Sequence, residues 1–68
     1  MIQIFGTLNY DLTITTTDGK IIEIALQIED KCRGCTWRDK VNKTVSVKGL
    51  PISEKAISVF SPNNIELQ

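Results

Sequence analysis

From Ile2 to Ile28 the apolar side chains recur on even positions: Ile2, Ile4, Leu8, Tyr10, Leu12 and Ile14, then Ile22, Ile24, Leu26 and Ile28. Gln3, Thr7, Asn9, Asp11, Thr13, Thr15, Glu23, Gln27 and Glu29 fall between them. A period of two is the repeat of a strand that buries one face, and a helix cannot use it. Phe5 breaks the alternation and Gly6 interrupts it, which predicts a bend or bulge near Gly6 within one strand running from Ile2 to Ile14.

Parity also fixes the next turn. A two-residue Asp18-Gly19 loop would pair Ile14 with Glu23 and set a buried side chain opposite a charge. A three-residue loop, Thr17-Asp18-Gly19, pairs Thr16 with Lys20, Ile14 with Ile22, Leu12 with Ile24, Tyr10 with Leu26 and Leu8 with Ile28. It also puts Gly19 at the left-handed position that follows a type I turn. The three-residue loop is therefore the expected one.

Beyond Ile28 the pattern lapses. Residues 29–40 show neither period and are expected to form a loop or the frayed tip of a hairpin. Val41, Val45 and Val47 restore alternation as far as Lys48-Gly49, and Pro51 makes Leu50-Pro51-Ile52 irregular. Ser53-Glu54-Lys55-Ala56 has room for a single helical or 3₁₀ turn. Ile57-Ser58-Val59 is a short strand. Pro62-Asn63-Asn64 suits a type I turn with Asn64 left-handed, before Ile65-Glu66-Leu67.

The sum is an all-β fold of five to six short strands, residues 1–68 forming one domain: a small antiparallel barrel, with a β-sandwich as the alternative. A 68-residue domain buries only roughly 60% of its unfolded surface, so a metal, a disulfide or a second copy would reinforce it. The chain lacks a long apolar run, and Met1–Gly6 shows no signal-peptide pattern, so no membrane span and a cytoplasmic setting are expected.

Net charge is zero but unevenly spread. Asp11, Asp18, Glu23, Glu29 and Asp30 outweigh Lys20 in the first 30 residues, whereas Lys31, Arg33, Arg38, Lys40 and Lys43 outweigh Asp39 in residues 31–43. The basic excess coincides with Cys32-Arg33-Gly34-Cys35 and with Trp37, the only tryptophan. Two thiols separated by Arg33-Gly34 have the spacing of a zinc knuckle, which supplies half a tetrahedral site. Cys32 and Cys35 would complete a zinc site, or form a bridge, only between two chains, and the alternative is two thiols in a loop, reduced or oxidised.

A thiol oxidoreductase would need a helix after the first cysteine to lower its pKa, and residues 36–40 carry no helical stripe. Histidine is absent, so the common base for a nucleophile is missing. Trp37 has two uses, as a cap on a core short of aromatic residues or as a stacking or contact residue among Arg33, Arg38 and Lys40. Tyr10 is expected in the core or at its rim. Thr7, Thr13 and Thr15 are expected on a solvated face or an edge that pairs with a second copy.

Two stretches resemble the Sm-like barrels, a five-stranded RNA-associated family of SH3-like architecture. One is Leu12-Thr13-Ile14-x-x-x-Asp18-Gly19-Lys20-x-Ile22-x-x-x-Leu26-x-x-x-Asp30. The other is Val45-Ser46-Val47-Lys48-Gly49 with Ile57-Ser58-Val59-Phe60. The resemblance implies that Asp30, Lys48 and Gly49 lie at RNA-facing loops. The chain departs from the family in having Ile24 at its mid-strand glycine, no Met-Asn after the aspartate, and a strand in place of the N-terminal helix.

The expectation is a non-enzymatic binding or regulatory module that presents Lys31, Arg33, Trp37, Arg38 and Lys40 to a protein partner. RNA binding through the same loop, of Sm-like or zinc-knuckle type, is the second reading, and a thiol redox protein is a distant third. Homo-oligomers, as a dimer or a ring, fit either of the first two.

Overall fold

β1 (Ile2–Leu8) is the strand on which the sheet closes, because it pairs on both of its edges. The computed structural model describes residues 1–27 and 37–68. β2 (Thr13–Thr16), β3 (Ile21–Leu26), β4 (Thr44–Ser53), β5 (Ala56–Val59) and β6 (Ile65–Leu67) follow, with 3₁₀ turns at Arg38–Lys40 and Pro62–Asn64. Hydrogen-bonded neighbours run β1-β2-β3-β5-β4 and back to β1, while β6 adds to β4. The result is a closed five-stranded barrel with one extra strand, and not a sandwich.

The antiparallel expectation fails at one seam, since β3 and β5 are parallel, with Glu23 beside Ala56 and Leu26 beside Val59. Strand directions cannot alternate all the way round a ring of five. One neighbouring pair has to run the same way, and the long connection from β3 to β5 permits it.

The single strand expected from Ile2 to Ile14 is two strands. The chain reverses after Leu8, which pairs with Ile14. The Asn9 amide N–H donates to the Thr13 carbonyl at 2.8 Å, and its side-chain Nδ2 donates to Thr13 Oγ1 and Thr15 Oγ1 at 3.0 and 2.9 Å. Leu12 takes the left-handed conformation at φ 61°. Tyr10, expected in or near the core, stands at the tip of this turn and is 83% exposed. The expected pairings of Leu8 with Ile28 and Tyr10 with Leu26 are replaced accordingly, and Ile28 lies outside the described residues.

The second hairpin keeps the expected register. Ile14 pairs with Ile22, the Thr16 amide donates to the Lys20 carbonyl at 2.8 Å, and Gly19 is left-handed at φ 89°. Both hairpins therefore use three-residue loops closed by a left-handed third residue. Such loops preserve side-chain parity, which is why the alternation passes through the first turn without a visible break.

β4 continues through Gly49 and Pro51 instead of ending at Lys48-Gly49. β6 flanks its first half at Val45–Val47 and β5 its second half, with a register shift between Pro51 and Ser53 where Pro51 has no donor to offer. Lys48 and Gly49, placed by the Sm-like resemblance at a loop, are thus inside a strand opposite Gln3 and Ile2. Glu54-Lys55 is the turn of the β4–β5 hairpin, not a helical turn, and Ser53 Oγ accepts from the Lys55 amide at 3.2 Å. Pro62–Asn64 forms a 3₁₀ turn. The left-handed asparagine among the described residues is Asn42, at φ 67°, and not Asn64.

The barrel interior holds Leu8, Ile14, Ile24, Trp37, Val45, Val47, Ile57, Val59 and Ile65, with Ile4, Leu12, Ile22, Leu26 and Val41 packed against them. Small-residue positions let the strands wrap this core. A Cβ on Gly6 would come within 2.2 Å of the Thr15 carbonyl oxygen, and one on Gly49 within 2.3 Å of the Ser58 carbonyl oxygen.

Candidate binding site at the base of the basic connection

The connection from β3 to β4 carries the basic excess of the sequence, and its two ends, at Gln27 and from Trp37 onward, are among the described residues. Lys31, Arg33, Cys32 and Cys35, with Asp30, lie outside the described residues, and so does the zinc pairing expected of the two thiols. The structure describes how this connection is anchored.

On the β3 side, the Gln27 amide donates to the Val59 carbonyl at 2.9 Å, and its side-chain Nε2 donates to Ser58 Oγ at 2.6 Å. Beside Gln27 a shallow groove is lined by Met1, Lys48, Leu50, Ser58, Phe60 and Asn64.

On the return side, Trp37 is 8% exposed and belongs to the core. It is the aromatic side chain that fills the barrel, since Tyr10, Phe5 and Phe60 are all exposed. Of the two uses open to Trp37 from sequence, the structure shows the packing one. Its carbonyl accepts the Lys40 amide at 3.0 Å, which winds Arg38–Lys40 into a single 3₁₀ turn. The Arg38 guanidinium carbon stands 5.0 Å from the centroid of the Trp37 ring, a cation–π distance, with the Arg38 side chain exposed outside it.

Lys40 is half-buried and its Nζ donates to the Ile65 carbonyl at 2.9 Å. That bond places an ammonium group on β6, where a bare strand edge would otherwise invite pairing. The Asn42 amide then donates to the Leu8 carbonyl at 2.7 Å, and the Leu8 amide to the Lys43 carbonyl at 3.1 Å, which ties the returning chain to β1.

Of the five residues singled out as contacts, the structure brings Trp37, Arg38 and Lys40 together in one turn at the foot of the connection. Trp37 and Lys40 hold that turn to the barrel, and Arg38 is exposed over the Trp37 ring. Among the described residues no group of three or more His, Cys, Asp or Glu side chains is placed to hold a metal ion. No described helix is long and apolar enough to cross a membrane.

No family model, curated protein or solved structure matches the chain.

The exposed apolar side chains are what sequence reasoning missed. Phe5, Leu50 and Phe60 are 45%, 58% and 64% exposed. For Phe5 a signal was present, because it breaks parity and so had to face outward from β1. Leu50 carried the same signal once β4 is continued past Gly49, since it shares the parity of Ser46 and Lys48.

Proposed function

We propose that this protein is a non-enzymatic binding module, a small β-barrel that offers the basic connection of residues 31–40 to an acidic surface of a protein partner. What carries the reading is the anchoring. A buried Trp37, a Lys40–Ile65 bond and a Gln27–Val59 bond fix both ends of a connection whose residues 31–40 hold four of the eight Lys and Arg side chains of the chain. Rigidly rooted, variable connections are where scaffold folds carry their recognition residues.

The class of barrel bears on the competing nucleic-acid reading. Three consecutive strands joined by hairpins, with β4 returning by a long connection to lie beside β1, form a Greek key. Closed by β5, that order supports the OB type of five-stranded barrel over the Sm-like type that the sequence motifs resemble. OB-type barrels bind oligonucleotides on the β2–β3 face and on the β1–β2 and β4–β5 loops.

In this chain that face pairs Thr13 with Glu23 and Thr15 with Ile21 on its outer side, and its β1–β2 loop offers Tyr10 and Asp11. It supplies one exposed aromatic ring and carboxylates where a phosphate backbone needs cations. Five of the eight Lys and Arg side chains sit instead between β3 and β4, against Lys20 in the β2–β3 turn and Lys55 in the β4–β5 turn. A fold by itself assigns no function, and the charge placement is what supports the protein-partner reading over the nucleic-acid one.

The test titrates a glutamate-rich peptide and a single-stranded oligouridine into the protein and into a variant with Lys31, Arg33 and Arg38 replaced by Gln. Binding of the peptide that the triple variant loses is the expected result. Salt-sensitive binding of the oligouridine alone would favour the nucleic-acid reading, and an equal response of both proteins to either probe would defeat the assignment to this connection.

A further inference from the structure

The outer face of β1, β4 and β5 carries a second surface that the basic connection does not explain. Val45 and Val47 point into the barrel, so Ser46, Lys48 and Leu50 lie on the outer side of β4, where Ser46 is buried and accepts a hydrogen bond from Gln68 Nε2 at 2.9 Å while Lys48 and Leu50 are exposed. Gln3 and Phe5 of β1 stand opposite Lys48 and Ser46, and Ser58 of β5 stands opposite Leu50. Met1, Leu50 and Phe60 line one groove around Lys48, and Phe5 continues the same face.

Met1, Phe5, Leu50 and Phe60 are 87%, 45%, 58% and 64% exposed. Single exposed apolar side chains are ordinary on a protein surface. Three of them around one groove, with Phe5 on the outer side of the neighbouring β1, form a patch of the kind that marks an interaction site.

We infer that this face binds a second copy of the chain, with Lys48 of one protomer over Glu66 of its partner. The charges select the occupant. Glu66 pairs with Ser46 across β4 and β6 and therefore shares the outward face, diagonally next to Lys48 at about 7–8 Å. Neither side chain makes an ion pair with any described residue.

A two-fold interface has to be complementary to itself, and one cation beside one anion within an apolar field meets that condition. A nucleic acid would call for cations alone. A second copy also gives a small domain the added burial that its own core cannot supply. The inference uses no residue of 31–40, so it stands or falls apart from the loop reading.

Sedimentation equilibrium over protein concentrations from about 5 to 500 µM tests it, a range that brackets the affinity of a modest interface. The samples are the wild type, K48E, E66K and an equimolar mixture of the two variants, with far-UV circular dichroism as the check on folding. The wild type is expected to dimerise with rising concentration. Each variant alone places like charges over one another and should raise the dissociation constant about tenfold or more. The mixture should regain wild-type association, because one variant then carries two carboxylates and the other two ammonium groups. A wild type that keeps the mass of one chain throughout overturns the inference. So does a wild-type dimer that both variants leave unchanged, or a mixture that associates no better than its components.

Discussion

A β-carbon on Gly6 would lie 2.2 Å from the Thr15 carbonyl oxygen and 2.9 Å from the Thr16 Cα, both of them backbone atoms that cannot rotate aside. Gly6→Ala is therefore expected to force β1 and β2 apart at a cost of about 3 kcal/mol, and to lower the thermal midpoint by more than about 10 °C in a domain of this size. A thermal melt of the variant checks this, and an unchanged midpoint would show that the strands do not approach so closely. The sequence marks Gly6 as a break in a strand, but its reason is close backbone approach, which a one-dimensional pattern cannot display. Leu12 was illegible for a related reason. Left-handed positions are recognised by Gly or Asn, and a leucine at φ 61° carries no such signature. Trp37 lay between the two cases, since a scarcity of aromatic residues pointed to the core while its basic neighbours pointed outward.

The β2–β3 hairpin was legible in full, because a three-residue loop is the one choice that sets every apolar residue of β2 opposite another. Its turn also carries the clearest electrostatic feature of the molecule. A hydrogen bond from the Thr16 hydroxyl, helped by the Lys20 ammonium at 3.9 Å, holds the Asp18 carboxyl below its ordinary value of 3.8. A depressed carboxyl stabilises the fold when ionised, so its contribution is complete above that ordinary value and is lost as pH falls through the lowered one. Asp18→Asn keeps a turn-forming side chain but removes the charge. The variant should melt below the wild type at pH 7, by a small margin because the group is fully exposed, and the gap should close below about pH 3.8. A gap independent of pH would assign the effect to turn geometry instead. The β1–β2 hairpin was hidden by the same parity that revealed its neighbour, since both loops leave the even positions in phase.

Across the molecule, what local pattern could not supply was the order of strands. Alternation identifies faces, yet it says nothing about which strand lies beside which. The parallel β3–β5 seam and the return of β4 to β1 depend on contacts between residues far apart in sequence. A closed ring of five requires a parallel pair, so the strand count in the ring implies that one exists, while only the long-range contacts place it between β3 and β5. For the candidate site, the basic run was plain from composition, whereas its footing was not. Nothing in Lys40 announces a bond to the Ile65 carbonyl, and nothing in Gln27 announces its tie to Val59.

The core of the described residues includes Trp37, and the proposed function assigns residues 31–36 to recognition, so the central claim is that the barrel folds without their side chains. Replacing residues 31–36 by an equally long Gly-Ser linker, while keeping Trp37, and following thermal unfolding by Trp37 fluorescence tests it most directly. The expected result is a single cooperative transition within a few degrees of the wild type, where each kcal/mol corresponds to about 4–8 °C. Loss of the cooperative transition would contradict the claim and make the connection part of the fold.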